Sequence, residues 1–289
     1  MRTESPAAQT IVLTAAAMLA FAANSLLCRL ALQQGGIDPA SFAGIRLLCG
    51  ALTLAVIVRS RQRPPSAVRA DWLAAAMLFA YVALFSFAYL SLPAGSGALI
   101  LFGAVQLTMF SAGLRAGERF VPRAWAGLIL AVAGLVYLVL PGVTAPPLAG
   151  AALMALAGVA WGVYSLRGRG VAYPLAATAS NFLRALPFAL LLSLLSLPFS
   201  GSTHASASGV ALAVASGALT SGLGYVIWYA ALARLSAMHA ATVQLSVPVI
   251  AAFGGALLLS EAISARLLFA SVAILGGIAL VLGSKALRE

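Results

Sequence analysis

Apolar residues run along this chain in long blocks, interrupted by short polar stretches rich in arginine, proline and glycine. Ten blocks are long enough for a spanning helix, which needs about 20 mostly apolar residues. They cover 10–32, 39–58, 71–91, 94–115, 122–141, 148–166, 175–197, 209–232, 236–259 and 266–284. The blocks lack the period-two alternation of a transmembrane β-barrel. The longest gaps, Arg59–Ala70 and Pro198–Ser208, are loop-like and leave little for a soluble domain. The pattern predicts one all-α integral membrane domain over 1–289. The apolar run from Ile11 continues past Ala20-Phe21-Ala22 to Leu32, which reads as a first spanning helix and not a cleaved signal peptide.

Composition agrees. The chain is 63% hydrophobic and 8% charged, against about 25% charged in soluble domains. The net charge of +11 could suggest nucleic acid, but the arginines lie between apolar runs and form no stripe. They mark topology instead. With the N-terminus inside, the inner connections carry Arg59, Arg61, Arg63, Arg69, Arg115, Arg119, Arg123, Arg167, Arg169 and Arg234, and the termini add Arg2, Lys285 and Arg288. That leaves Arg29 and Arg266 near the outer side, and Arg46 and Arg184 within helices 2 and 7. Both termini are therefore expected in the cytoplasm.

The chain also repeats itself. Shifted by 143 residues, Ala94 meets Ala237, Phe110 meets Phe253, Glu118 meets Glu261, Arg123 meets Arg266 and Gly134 meets Gly277. The paired glutamates are informative because the chain has only six acids. A shift near 138 pairs Arg46 with Arg184, and one near 137 pairs Asn24 with Trp161. Two five-helix repeats, 8–141 and 148–285, are expected. Five is odd, so the second repeat enters the membrane inverted. Inverted repeats are common in secondary transporters, with substrate bound near the midplane between them.

At these residues the sequence resembles the drug/metabolite transporter superfamily, specifically its ten-helix EamA-type members. The resemblance spans essentially the whole chain. It is carried by Leu114-Arg115-Ala116-Gly117-Glu118-Arg119 and Leu257-Leu258-Leu259-Ser260-Glu261, each closing the fourth helix of its half, with glycines in the next helix. An arginine in the second helix of each half adds to it. One departure is Val105, where the second half has Pro248. In general look the chain is most similar to bacterial aromatic amino acid exporters. The resemblance implies an inner-membrane exporter of small metabolites, amino acids above all. Multidrug or organic-cation export, and sugar-phosphate or nucleotide-sugar exchange, are the alternatives.

Polar groups within a bilayer are costly and face the bundle interior or a cavity. Asn24, Tyr81, Gln106, Trp161, Tyr164, Asn181, Tyr225, Trp228 and Gln244 are the candidate substrate-binding residues. Each could instead bridge helices. Arg46 and Arg184 could meet a substrate carboxylate, or could snorkel or cap helix carbonyls. Tyr89, Tyr137, Tyr173 and Tyr229 read as interfacial anchors. Pro187 and Pro248 fall inside helices 7 and 9, as static bends or as hinges. Gly158 and Gly162, and Gly276, Gly277 and Gly283, read as helix-packing positions. Glu118 and Glu261 read as helix-end groups paired with local arginines, Arg119 and Arg266 among the choices.

No acid falls at mid-membrane. His239 is the only titrating candidate in the spans of the second half, since His204 lies in a loop. Cys28 and Cys49 read as buried small hydrophobes, and no cluster has metal-ligand spacing. No nucleotide-binding loop is present. No cofactor, metal or obligatory protein partner is expected. The partners are a small-molecule substrate and lipid. An intramembrane enzyme would need a nucleophile beside a base, which is not found, and the repeat argues against a purely structural protein. Facilitated export follows as the expected mechanism.

Overall fold

The computed structural model describes residues 6–33, 35–60, 70–117, 120–142, 144–169, 171–196, 205–235 and 237–285. Among them there is no strand. One isolated antiparallel bridge joins Ile37 to Ala205. The helices are α1 (Pro6–Gln33), α2 (Pro39–Ser60), α3 (Trp72–Ala88), α4 (Ala94–Arg115), α5 (Pro122–Val139), α6 (Leu148–Arg167) and α7 (Pro174–Ser196). Next come α8 (Ala207–Leu232), α9 in two segments (Ala237–Val243 and Ser246–Leu259) and α10 (Ala265–Lys285). Eight of them are long and apolar enough to cross a membrane, and Trp72–Ala88 and Ser246–Leu259 are shorter apolar helices.

Two elements depart from plain α-helices. Ser216–Leu223, in the middle of α8, is a π-helix. Helix α9 breaks at Gln244-Leu245, where Val247 N–H bonds to the Gln244 carbonyl. Pro248 was expected inside a continuous helix. It instead stands in the first turn after the break, where its missing N–H leaves no intrahelical bond unmade. Pro187 does lie within continuous α7.

Helix packing has a simple order. Helix α3 packs on α6 and α7, α4 on α6 and α9, α1 on α8 and α9, and α2 on α7 and α8, while α5 packs on α10. Exchange each helix with the one five places along. Then α3–α6 becomes α8–α1, α4–α6 becomes α9–α1, and α3–α7 becomes α8–α2. The pairs α2–α7, α4–α9 and α5–α10 map onto themselves.

Small residues set how closely these pairs approach. Ala124, Gly127, Ala131, Gly134 and Leu138 form the buried stripe of α5. Across from it, a Cβ on Gly127 would lie 2.5 Å from the Gly277 carbonyl oxygen. Gly158 and Gly162 sit against Leu101, Ala104 and Thr108 of α4, as packing glycines should. Gly276 and Gly283 differ from expectation, since a Cβ on either would meet nothing within 4 Å. Gly277→Leu is therefore expected to pry α5 from α10 and to cost about 1–3 kcal/mol or more. A lowered Tm in detergent, with Gly276→Ala unchanged, is the check.

One end of the bundle is tightly fastened. The αL residue Ser260 (φ 54°) ends α9 and turns the chain back. Glu261 then accepts from Arg29 Nε at 3.0 Å and from the Ala94 N–H at 2.8 Å. Gly255 makes the room, because a Cβ there would lie 2.5 Å from the Glu261 carboxylate. Arg29 Nη1 also donates to the Tyr89 and Leu90 carbonyls. Four segments thus meet at one ion pair. Ser206 N–H donates to the Gly36 carbonyl at the same end. The expected local partner of Glu261, Arg266, is instead bonded to the Leu138 and Leu140 carbonyls and lies over the Tyr137 ring. The reason is geometric: the turn at Ser260 aims the carboxylate at α1 and α4. Glu118, Arg119 and His204 lie outside the described residues.

Candidate functional site: a central cavity

Among helices α1–α4 and α6–α9 lies a cavity of about 1230 Å³. Its exposed lining is at the end away from the Glu261 pair, at Ala70–Leu73 before and in α3 and at Arg167–Arg169 and Val171–Tyr173 at and after the end of α6. At this mouth Arg167 Nε donates to Asp71 Oδ2 at 2.8 Å, and Asp71 Oδ1 caps α3 by accepting from Ala74 N–H. Burial raises the pKa of the Asp71 carboxyl. The Arg167 hydrogen bond and charge and the backbone N–H groups outweigh it and hold the group below its ordinary value. Pairs as exposed as this one contribute little stability.

Ten of the sequence candidates line this one space: Asn24, Arg46, Tyr81, Gln106, Trp161, Tyr164, Asn181, Tyr225, Trp228 and Gln244. Arg184 does not. Its Nη1 donates back to the Ser180 carbonyl, and its guanidinium lies over Trp72. Gln244 stands at the break of α9, and its Nε2 donates to the Ala240 carbonyl.

The wall is aromatic. Trp161 is its hub, with ring centroids 4.8 Å from Tyr81, 5.4 Å from Tyr164 and 5.7 Å from Tyr225, the last stacked. Phe21 adds a tilted contact to Tyr225 and an edge contact to Trp228. Tyr229, expected at the membrane interface, lines the cavity, and its hydroxyl lies 2.9 Å from Thr178 Oγ1. Tyr89 is fully buried, with its hydroxyl on the Ala94 carbonyl. Tyr137 and Tyr173 are exposed, although Tyr173 also borders the mouth.

A polar cluster closes the deep end. Arg46 is 2% exposed and is the largest fully buried side chain among the described residues. Its Nε donates to Ser221 Oγ and its Nη2 to the Tyr81 hydroxyl, both at 3.1 Å. Ser216 and Thr220 donate to Asn24 Oδ1 at 2.7 and 3.3 Å. Ser216, Thr220 and Ser221 all come from the π-helix. Gly217 lets that segment touch α2, since a Cβ there would lie 2.5 Å from the Arg46 carbonyl oxygen. Sequence reasoning missed Ser216, Thr220 and Ser221. The helical spacing of Ser221 with Tyr225, Trp228 and Tyr229 was an available signal, as was that of Phe21 with Asn24 and Ser25; Ser216 and Thr220 are out of that register because of the π segment.

Comparison with known proteins agrees with this architecture. The chain is 55% identical over 280 residues to the uncharacterized protein PA1977 of Pseudomonas aeruginosa, covering 97% of this chain and 96% of that protein. A chain in a solved crystal structure superposes with a TM-score of 0.66 at 21% identity, covering 95% of this chain and 97% of that one, which is a likeness of fold. The EamA-like transporter family matches twice, over residues 8–140 and 148–283. With nearly the whole length matched in two copies, this multi-pass membrane protein belongs to the EamA-like transporter family.

Proposed function

We propose that this chain exports amino acids, aromatic and other neutral ones, from the cytoplasm by alternating access through the central cavity. The observation that carries the reading is the cavity's lining. The aromatic rings gathered around Trp161 suit a flat apolar side chain. Amides at Asn24, Gln106, Asn181 and Gln244 suit an α-amino acid head group. The two repeats are 8–141 and 148–285, inverted relative to each other. The exchange symmetry of the helix pairs supports this, as does the odd number of helices in each half. The arginine-rich mouth faces the cytoplasm by the charge rule, with both termini on that side. The protein then stands open inward, in the inner membrane of a bacterium.

Transport is uniport-like. Among the described residues the one carboxylate lining the cavity is Asp71 at the mouth, paired with Arg167, and none lies in its deep part, which supports transport without a proton carrier. The test is efflux of labelled phenylalanine, tryptophan and leucine from proteoliposomes with no ion gradient. Efflux down each substrate's own gradient is expected. Strict dependence on a pH gradient would sink the uniport reading. No transport of any neutral amino acid would sink the substrate class.

A further inference from the structure

We propose that the deep end of the cavity is an anion subsite, in which Arg46 and Tyr81 hold the carboxylate of an organic acid or zwitterion. The inference deepens the transport reading above and rests on it. Arg46 carries a full positive charge in the bundle interior, where an unpaired charge is costly. Neither ion pair among the described residues, Arg29–Glu261 or Arg167–Asp71, involves it. Its hydrogen-bond partners, Ser221 and Tyr81, are neutral hydroxyls. The faces of Tyr81 and Phe85, 5.2 and 5.1 Å away, supply only partial compensation. Its buried Nη1 has no hydrogen-bond partner. The charge and one donor are thus uncommitted, and the side chain lines the cavity.

Tyr81 extends the same logic. Its oxygen accepts from Arg46 Nη2 at 3.1 Å and from Asn24 Nδ2 at 3.5 Å. A phenol that accepts two bonds has its own hydrogen left to donate. A carboxylate has two acceptor oxygens, one for Arg46 Nη1 and one for the Tyr81 hydroxyl. A charge-assisted pair of this kind is about twice as strong as a neutral one. The same guanidinium repels an ammonium or an organic cation. The Trp161 ring centroid lies 4.8 Å from that of Tyr81, so the anion arrives attached to an apolar body.

The experiment compares three ligands with one ring and chain and different heads: 3-phenylpropionate, 3-phenylpropanamide and 3-phenylpropylamine. Each is added to the detergent-purified full chain, and the shift in Tm is read. The acid is expected to stabilise the protein selectively. In Arg46→Gln the acid should bind about tenfold or more weakly, the scale of one hydrogen bond to a charged group. Arg46→Lys should keep part of the preference. An equal or larger shift with the amide or amine, or no shift with the acid, would overturn the subsite. So would an acid preference that survives in Arg46→Gln. The native chain alone decides between heads if that variant does not fold. Failure of the amino acid efflux assay leaves this readout intact, so the two readings fail separately.

Discussion

Replacing Glu261 with alanine will loosen the fastened end of the bundle and make Cys28 reactive to a water-soluble thiol reagent. Glu261 and Arg29 retain only 11% and 13% side-chain exposure. Removing one partner of a buried pair costs about 3–5 kcal/mol, and the residual exposure here brings the expected figure to about 2 kcal/mol. The same carboxylate accepts from Ala94 N–H at the start of α4, so a helix cap of about 1 kcal/mol goes with it. A change of that size shifts a two-state equilibrium by more than tenfold. Cys28, one residue from Arg29, is completely buried. In a Cys49→Ser background, a membrane-impermeant maleimide should leave Cys28 untouched in the parent and label it in Glu261→Ala. Glu261→Gln should fall between them, because an amide oxygen can keep one of the two bonds. Unchanged labelling in Glu261→Ala, with unchanged Tm, would show that the pair does not hold this end closed.

Trp161→Ala is expected to have the largest effect on transport. Three aromatic neighbours meet this ring, and each such pair contributes about 0.5–1.5 kcal/mol beyond burial. Loss of the hub removes both a stacking surface and the order of Tyr81 and Tyr225 around it. The KM for phenylalanine efflux should rise about tenfold or more. Leucine, with no flat ring to stack, should be affected less, and Trp161→Phe should retain most of the activity. Equal losses for phenylalanine and leucine would assign Trp161 to packing alone.

The spans were legible in the sequence because lipid leaves one solution for a backbone, a long apolar helix. Helix α4 was expected over 94–115 and runs Ala94–Arg115. Helix α7 was expected over 175–197 and runs Pro174–Ser196. Ten of the eleven binding candidates line the cavity for a related reason: a polar side chain in an apolar helix has few places to go. What stayed hidden depends on distant neighbours. Glu261 finds Arg29 across 232 positions of sequence, and Ser216 finds Asn24 across 192. Arg46 and Arg184 looked equivalent as repeat mates. They diverge because Arg46 faces the π-helix, where Gly217 permits contact and Ser221 supplies an acceptor, while Arg184 turns to its own helix and an exposed tryptophan. Hydropathy does not register an irregular turn in a span that is apolar on either side of it.

That irregular turn also sets the phase of α8. A π-turn takes up about one residue more than an α-turn, and one residue corresponds to about 100° of rotation. Tyr225, Trp228, Tyr229 and Leu232 follow the π segment and all border the cavity, as do Thr220 and Ser221 within it. On one helical wheel drawn through Ala207–Leu232, Ser221 already shares the face of Tyr225, Trp228, Tyr229 and Leu232, but Ser216 and Thr220 fall off it. The extra residue lets a single helix present Ser216 and Thr220 to Asn24 at one depth and rings to Trp161 and Phe21 at another. The helix is in effect two wheels on one axle, offset so that both face the same passage.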